Sequence, residues 1–504
     1  MLSRSTLRAG VCLAALTLAS AAHADVTAEQ VWQDWKDYYA SLGQTVTAAS
    51  EARDGDTLVV TGVSMVQDQN GTRSEATIAE VKLREMGDGT VEVTLSNDIP
   101  VKVTAAPADG PPAEISMNLS HQDLRLLASG VPENMVFDFT ASELRMVMDE
   151  MMVDETAPPF RMEFVATGNT GRHNSVKDAG RTVTSEFAAD KISVVMTGAD
   201  PETSGTFTMN GDMNGLTGAG TVVVPEGVDM QDVNAAVQAG FAVDGKFNYA
   251  DGKFTMEGAG PDGSFKADSS GGAGNLAVRF GKDGLAYGGE AVDSRFSVTT
   301  PQLPFPVEME LAQSAFNAVM PLSKSETAQP AALLIKMVDL KVSDELWNMV
   351  DPGQQLPRDP ATLVFDVTGA LKPLIDLLDP EAAAAFEGGM AEGAAPAAPF
   401  EVSEAKINQL QVKAVGAELT GTGAMTFDNS AGMPMPLGSI DLSLTGANAL
   451  MDKLTAMGLI PADQVMGFKM MLGMFAVPAG EDALTSKIEF KEGGSIFANG
   501  QQIQ

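Results

Sequence analysis

Between residues 45 and 300 the chain alternates apolar and polar residues in short runs, and Asp-Gly or Asn-Gly repeatedly cuts those runs. Thr57-Leu58-Val59-Val60-Thr61, Ala76-Thr77-Ile78-Ala79-Glu80-Val81-Lys82-Leu83 and Val91-Glu92-Val93-Thr94-Leu95 are three of them, separated by Asn70-Gly71 and Asp88-Gly89. A period of two sends alternate side chains to opposite faces of a strand, and both dipeptides tolerate the positive φ of tight hairpin turns. With about ten such dipeptides, the chain reads as successive antiparallel hairpins. The pattern recurs at Asp244-Gly245-Lys246-Phe247, Asp251-Gly252-Lys253-Phe254 and Asp262-Gly263-Ser264-Phe265. Each reads as a turn followed by a strand carrying an aromatic. The expected fold is mainly β, a strand-dominated α+β arrangement built on a long twisted antiparallel sheet or sandwich.

Helices punctuate this pattern. Thr27 and Gln30 make a capping box, Val31, Trp32, Trp35, Tyr38, Tyr39 and Leu42 recur at helical spacing, and Gly43 ends the run. A helix docked on one end of the sheet explains that aromatic stripe. Short crossing helices are expected over 229–240, with Met230, Val233 and Val237 on one face, and over 343–350, with Leu346 and Trp347. Ser120-His121-Gln122-Asp123-Leu124 echoes Ser343-Asp344-Glu345-Leu346, each followed by a strand, which predicts a short helix at both places. Residues 448–475 read as a helical hairpin apolar on most of its circumference, which something must cover. The three prolines of 301–306 mark a boundary between a β-rich region 25–300 and a β-rich region 301–504. Residues 380–399, rich in Ala, Gly, Glu and Pro, read as a flexible low-complexity insert.

The first 24 residues have the layout of a cleavable export signal: Arg4 and Arg8, an apolar run to about Ala22, and Ala22-His23-Ala24 before Asp25. Cleavage after Ala24 removes the only cysteine, Cys12, and leaves His121 and His173 as the only histidines. We expect a periplasmic protein without disulfides, stabilised by a buried core, and with no transmembrane segment in the mature chain. The formal net charge of −35 repels nucleic acid and anionic lipid headgroups and keeps a β-rich chain soluble.

Several blocks are familiar. Gly446-Ala447-Asn448-Ala449-Leu450, Met457-Gly458-Leu459, the helix ending Met470-Met471-Leu472-Gly473-Met474-Phe475, and Phe490-Lys491-Glu492-Gly493-Gly494-Ser495-Ile496 with Asn499-Gly500-Gln501 resemble the DUF2125 family of exported alphaproteobacterial proteins. Met320-Pro321-Leu322-Ser323, Trp347 with Asp351-Pro352, and Leu356-Pro357-Arg358-Asp359-Pro360 are similar to further blocks of that family. The resemblance supplies no catalytic motif. The strand pattern is also similar in architecture to AsmA-like envelope proteins, and that similarity implies a curved sheet that handles lipid.

The residues themselves point away from catalysis. His121 and His173 have no carboxylate at metal-ligand spacing, no Gly-x-Ser-x-Gly elbow occurs, and pairs such as Asp149-Glu150 are commonplace in a chain with 67 acids. Gly271-Gly272-Ala273-Gly274-Asn275 matches one turn of a calcium-binding roll without the tandem copies that motif needs, and reads as a loop. No catalytic residue, cofactor or metal ligand is assigned, and no enzymatic activity is expected.

Methionine is the unusual enrichment, 29 in all, clustered at Met146, Met148, Met151 and Met152, at Met433 and Met435, and at Met466, Met470, Met471 and Met474. Three readings compete: plain core filler, an adaptable lining for a lipid or other hydrophobic ligand, and thioether capture of Cu(I). The functional expectation is a non-enzymatic periplasmic envelope protein that shelters such a ligand in an apolar groove closed by the hairpin. Leu450, Leu454, Met457, Met466, Met470 and Met474 are its candidate lining. The alternative is an acidic interaction or scaffold protein with a packed core, docking another envelope protein.

Overall fold

The computed structural model describes residues 25–504 except 70, 107–110, 154–155, 158, 201–204, 262, 383, 385–398 and 431–433. The leader, Met433 and most of the 380–399 insert therefore lie outside the described residues. The rest forms one 27-stranded sheet whose pairings are antiparallel. It is a meander: each rung pairs with the next along the chain, with Ser50–Asp54 near one edge and Ser495–Ala498 near the other. Many strands are long, among them Asn134–Val153, Phe160–Asp178, Gly180–Ala199 and Thr206–Pro225. With about twenty rungs spaced about 4.8 Å apart, the sheet extends on the order of 90 Å across its strands. Gly284–Thr299 pairs directly with Val307–Met320, so hydrogen bonding continues past the prolines of 301–306.

A line of kinks crosses this sheet. Gly62, Gly168, Gly215, Asp293 and Asp339 take φ of 59°, 65°, 61°, 53° and 55° in mid-strand. Elsewhere on the same line a rung is split into two collinear strands. Ala242–Tyr249 and Asp251–Gly260 pair with successive halves of Thr206–Pro225, and Gly263–Gly271 and Gly274–Gly281 pair with opposite ends of Gly284–Thr299. At Gly62 and Gly215 the backbone comes so close to its neighbour that an added Cβ would sit 2.9 Å from the Cβ of Ala49 and of Ala250. A single left-handed residue bends a strand and increases its twist. Repeated in register, it folds the sheet lengthwise into a gutter with two walls.

Three sequence expectations change on this frame. Neither Asp244-Gly245 nor Asp251-Gly252 is a hairpin turn: Gly245 lies mid-strand, paired with Gly220 and Val278, and Gly252 is paired with Met213 and Gly271 just past the crease. No helix forms at 120–124, because Asp123 takes φ 51° and carries the chain across the crease from Ala113–Gln122 into Arg125–Val131. The 229–240 helix shortens to Val233–Gln238: the Asp232 carboxylate accepts the Ala235 N–H and fixes the start, leaving Val237 buried and Val233 exposed.

The N-terminal end of the gutter is filled. Helix α1 (Ala28–Ser41) has its capping box formed and lays Val31 and Trp32 on Leu58, Val60, Leu83, Val91, Val93, Ala128 and Phe137. Burying side chains of this size contributes roughly 1.5–3 kcal/mol each. Polar ties complete the seat. Asp34, itself buried, receives both guanidinium nitrogens of Arg181 at 2.9 and 3.1 Å and the Lys177 ammonium at 2.7 Å. Glu85 accepts from the Ala28 N–H at 3.1 Å and pairs with Arg53 at 2.6 Å, and these bonds hold its carboxyl below the usual range.

Candidate functional site: an apolar gutter

Strand register decides which side chains meet inside the gutter. Beginning at Leu58, directly opposed residues run Leu58, Leu83, Val93, Leu126, Phe139, Gly171, Phe187, Gly218, Phe247, Leu276, Gly289, Phe316, Ile335, Phe365, Leu410, Gly421 and Leu442, ending at Ser486. Opposed residues share a face, so this is one unbroken apolar track from rung to rung. A second track runs parallel to it through Val278, Tyr287, Ala318, Leu333, Val367, Ile407, Gly423, Ile440 and Ile488.

The glycines in these tracks have a packing reason. An added Cβ would come within 1.9 Å of the Phe187 ring at Gly218 and within 2.2 Å of the Phe139 ring at Gly171. Gly198 under Phe207, Gly258 under Phe265 and Gly274 under Tyr249 repeat the arrangement, each also at 2.2 Å. The aromatic ring therefore lies flat over the neighbouring strand, and the floor is paved with ring faces.

The wall beyond the crease carries the methionines. Met65, Ala76, Val101, Met117, Met148, Met162, Met196, Met209 and Met256 are opposed in succession. Seven of the 29 methionines thus form a cross-strand ladder of unbranched, polarizable side chains. The two walls face each other around a cavity of about 600 Å³, with Met213, Phe254 and Phe296 on one side and Phe247, Tyr249, Leu276, Phe316 and Ile335 on the other.

Burial divides the gutter along its length. Leu83 and Val93 are fully buried under α1, whereas Phe187, Leu276, Tyr287, Phe316, Leu333 and Ile335 are 38–44% exposed. Monomers seldom leave so long a contiguous apolar surface uncovered. The outer face is charged: Asp138 pairs with Arg172 at 2.7 Å, Arg145 with Glu163 at 2.7 Å, and Lys191 with Asp212 at 2.8 Å. Alternation along each strand puts apolar side chains inside and ions outside.

The six candidate lining residues lie elsewhere, at the C-terminal end. Helices α4 (Ala447–Ala456) and α5 (Ala462–Phe475) form the expected hairpin, after α2 (Val233–Gln238) and α3 (Asp344–Val350). Leu450, Leu454 and Met457 are half-buried on or just after α4, while Met466, Met470 and Met474 point to solvent along one side of α5. None of the six lines the 600 Å³ cavity, whose walls come from strands. The hairpin is tied at its ends. Asp482 accepts from the N–H groups of Asn448 and Ala449 at 2.9 and 3.0 Å; burial alone would raise its carboxyl, but these bonds hold it below the usual range. Ser486 Oγ and Asn499 Nδ2 donate to the Phe475 carbonyl.

The histidines are kept apart. His173 contacts Ser185 at 3.0 Å between the rings of Tyr38 and Phe137, and burial pushes its pKa down. His121 sits near the crease with Nε2 buried and unpartnered. Among the described residues no group of three or more His, Cys, Asp or Glu could hold a metal ion. Sequence reading also missed the Asp34–Arg181–Lys177 cluster, whose members are too distant in the chain for any local signal.

Residues 228–497 match DUF2125, a family described as uncharacterized protein conserved in bacteria. No curated protein matches the chain.

Proposed function

The chain belongs to the DUF2125 family, whose description assigns no activity, and we propose from its sheet that it is a non-enzymatic periplasmic protein that holds lipid acyl chains in the gutter. The observation that carries this reading is the unbroken register of apolar residues from Leu58 to Leu442, exposed at Phe187, Leu276, Phe316 and Ile335. An acyl chain needs an apolar track, few hydrogen bonds and walls that adapt to its bends. Flat ring faces on glycine supply the track, and the methionine ladder supplies adaptability. Chains lying along the gutter cross strands rather than follow them. An extended acyl chain of about 20 Å spans roughly four rungs, so the track has room for several in file.

Native mass spectrometry of protein purified from its own periplasm tests this. The expected result is co-purifying lipid, lost when Phe316→Asp and Ile335→Asp place carboxylates across the track. Protein that is lipid-free as purified, and that takes up no fluorescent fatty acid, would remove the reading and leave the acidic scaffold reading in its place.

A further inference from the structure

Among the described residues the most exposed apolar surface is not the gutter but α5. Met466 and Met470 are 70% and 68% exposed, and Met474, Met471, Phe468 and Phe475 stand beside them at 36–59%. Only Val465 of this helix is buried. Six large apolar side chains on fourteen residues would be costly to leave in water, at about 25 cal/mol for each Å².

We propose that the α4–α5 hairpin docks on the surface of a lipid bilayer of zwitterionic headgroups and so sets the open C-terminal end of the gutter against that surface. Charge selects this occupant. Within α5 the ionised residues are Asp463 and Lys469, one of each sign, and Lys469 pairs with Asp452 of α4 at 2.9 Å. An electrically neutral apolar patch on a chain of net charge −35 suits an uncharged surface. An anionic surface would be repelled by the rest of the molecule.

Length sets the mode of contact. Fourteen helical residues reach about 21 Å, short of the roughly 30 Å hydrocarbon core, so α5 lies in the interface and does not cross it. Continuity sets the consequence. Ser486, the last position of the apolar track, donates its hydroxyl to the Phe475 carbonyl at the end of α5, so the docked helix meets the end of the track. The docking rests on α5 alone; only its meaning as a site of lipid exchange rests on the acyl-chain reading.

Flotation with phosphatidylcholine vesicles reads the docking, and lipid content and fatty-acid uptake of the purified protein read the gutter. The variant is Met466→Gln, Met470→Gln and Met474→Gln together, since Gln keeps helix propensity and chain length. The full chain is expected to float with phosphatidylcholine and to bind phosphatidylglycerol vesicles less. The triple variant is expected to lose binding by at least about tenfold while it still takes up fatty acid presented in solution, since the gutter is untouched. A full chain that does not float, or a triple variant that floats equally well, overturns the proposal. So does a dimer that the triple variant converts to monomer, since a second copy would then be the occupant. Failure of the acyl-chain reading looks different: lipid-free protein that still floats.

Discussion

The two ends of this sheet each carry helices, and they use them in opposite ways. At the N-terminal end α1 turns its aromatic stripe inward, and Trp32, Val31 and Asp34 are buried. At the C-terminal end α5 turns its methionines outward, and the hairpin is held by a cap at Asp482 and by bonds to the Phe475 carbonyl. Both helices are rich in large apolar residues, so composition does not separate them. Phase does. In α1 polar residues occupy the outer face and one stripe is apolar; in α5 the apolar residues run nearly all round, and any one contact leaves most of them uncovered. The first arrangement closes an end and the second leaves an apolar helix exposed at the other.

The comparison breaks most visibly at Asp34. Its carboxylate faces Arg181 and Lys177 in a buried seat, so Asp34→Ala leaves the Arg181 guanidinium buried without its counter-charge. The expected loss is about 3–5 kcal/mol, read as a lower urea midpoint by the fluorescence of Trp32 and Trp35. Adding Arg181→Met should recover much of it, because the unpaired charge goes with the arginine. A single variant as stable as the parent would mean that α1 is held by its apolar stripe alone.

Between the two ends, Gly218 measures how tightly the paved floor is built. Gly218→Ala puts a Cβ 1.9 Å from the Phe187 ring and forces the ring off its strand. We expect a loss of roughly 1–3 kcal/mol and weaker lipid retention downstream of Phe187. Unchanged stability and retention would show that the ring moves freely and that the floor is not fixed by it.

The same glycines show how much the sequence made legible. Alternation and turn dipeptides gave the strand-rich class, and the capping box at Thr27 and Gln30 placed α1 to within a residue. Asp244-Gly245 reads locally as Asp262-Gly263 does, yet Gly245 is mid-strand and Gly263 opens a strand. The dipeptide permits both, and only the partner strands decide: Gly245 is paired on both sides, with Gly220 and with Val278. The crease was hidden for the same reason, since Gly62 and Asp339 join one line only after every rung between them has paired. The hairpin's apolarity is contiguous in sequence and so legible there. The methionine ladder is contiguous only in space, its rungs set by register.

At the open end the largest effect is expected from Asp482, which caps α4. Asp482→Ala removes the acceptor of the Asn448 and Ala449 N–H groups, at a cost of roughly 1 kcal/mol. The loss should be local, seen as faster proteolysis near Leu459 with an unchanged midpoint for α1. The carboxyl titrates below its ordinary value, so its contribution is complete above about pH 4. It fades as the pH falls through the lowered value, and the hairpin should loosen over that acid range. Loosening that sets in above pH 5 would assign it to some other group.

The smallest effect has the opposite sign. Gly467 and Gly473 lie inside α5, and an added Cβ at either would meet nothing within 4 Å. In a helix interior Ala is favoured over Gly by roughly 0.5–1 kcal/mol, because the unfolded chain loses freedom and no contact is disturbed. Gly473→Ala should therefore slow amide exchange within α5 and leave exchange in α1 untouched. The same change in the gutter is expected to destabilise, as at Gly218, so two Gly→Ala substitutions in one protein should shift stability in opposite directions. That contrast tests the difference between the regions directly: side chains lie on the gutter's glycines, and nothing lies on those of α5. If Gly473→Ala destabilised α5 in solution, the helix would be packed against a neighbour on that side, and the outward face that distinguishes this end from the other would not be free.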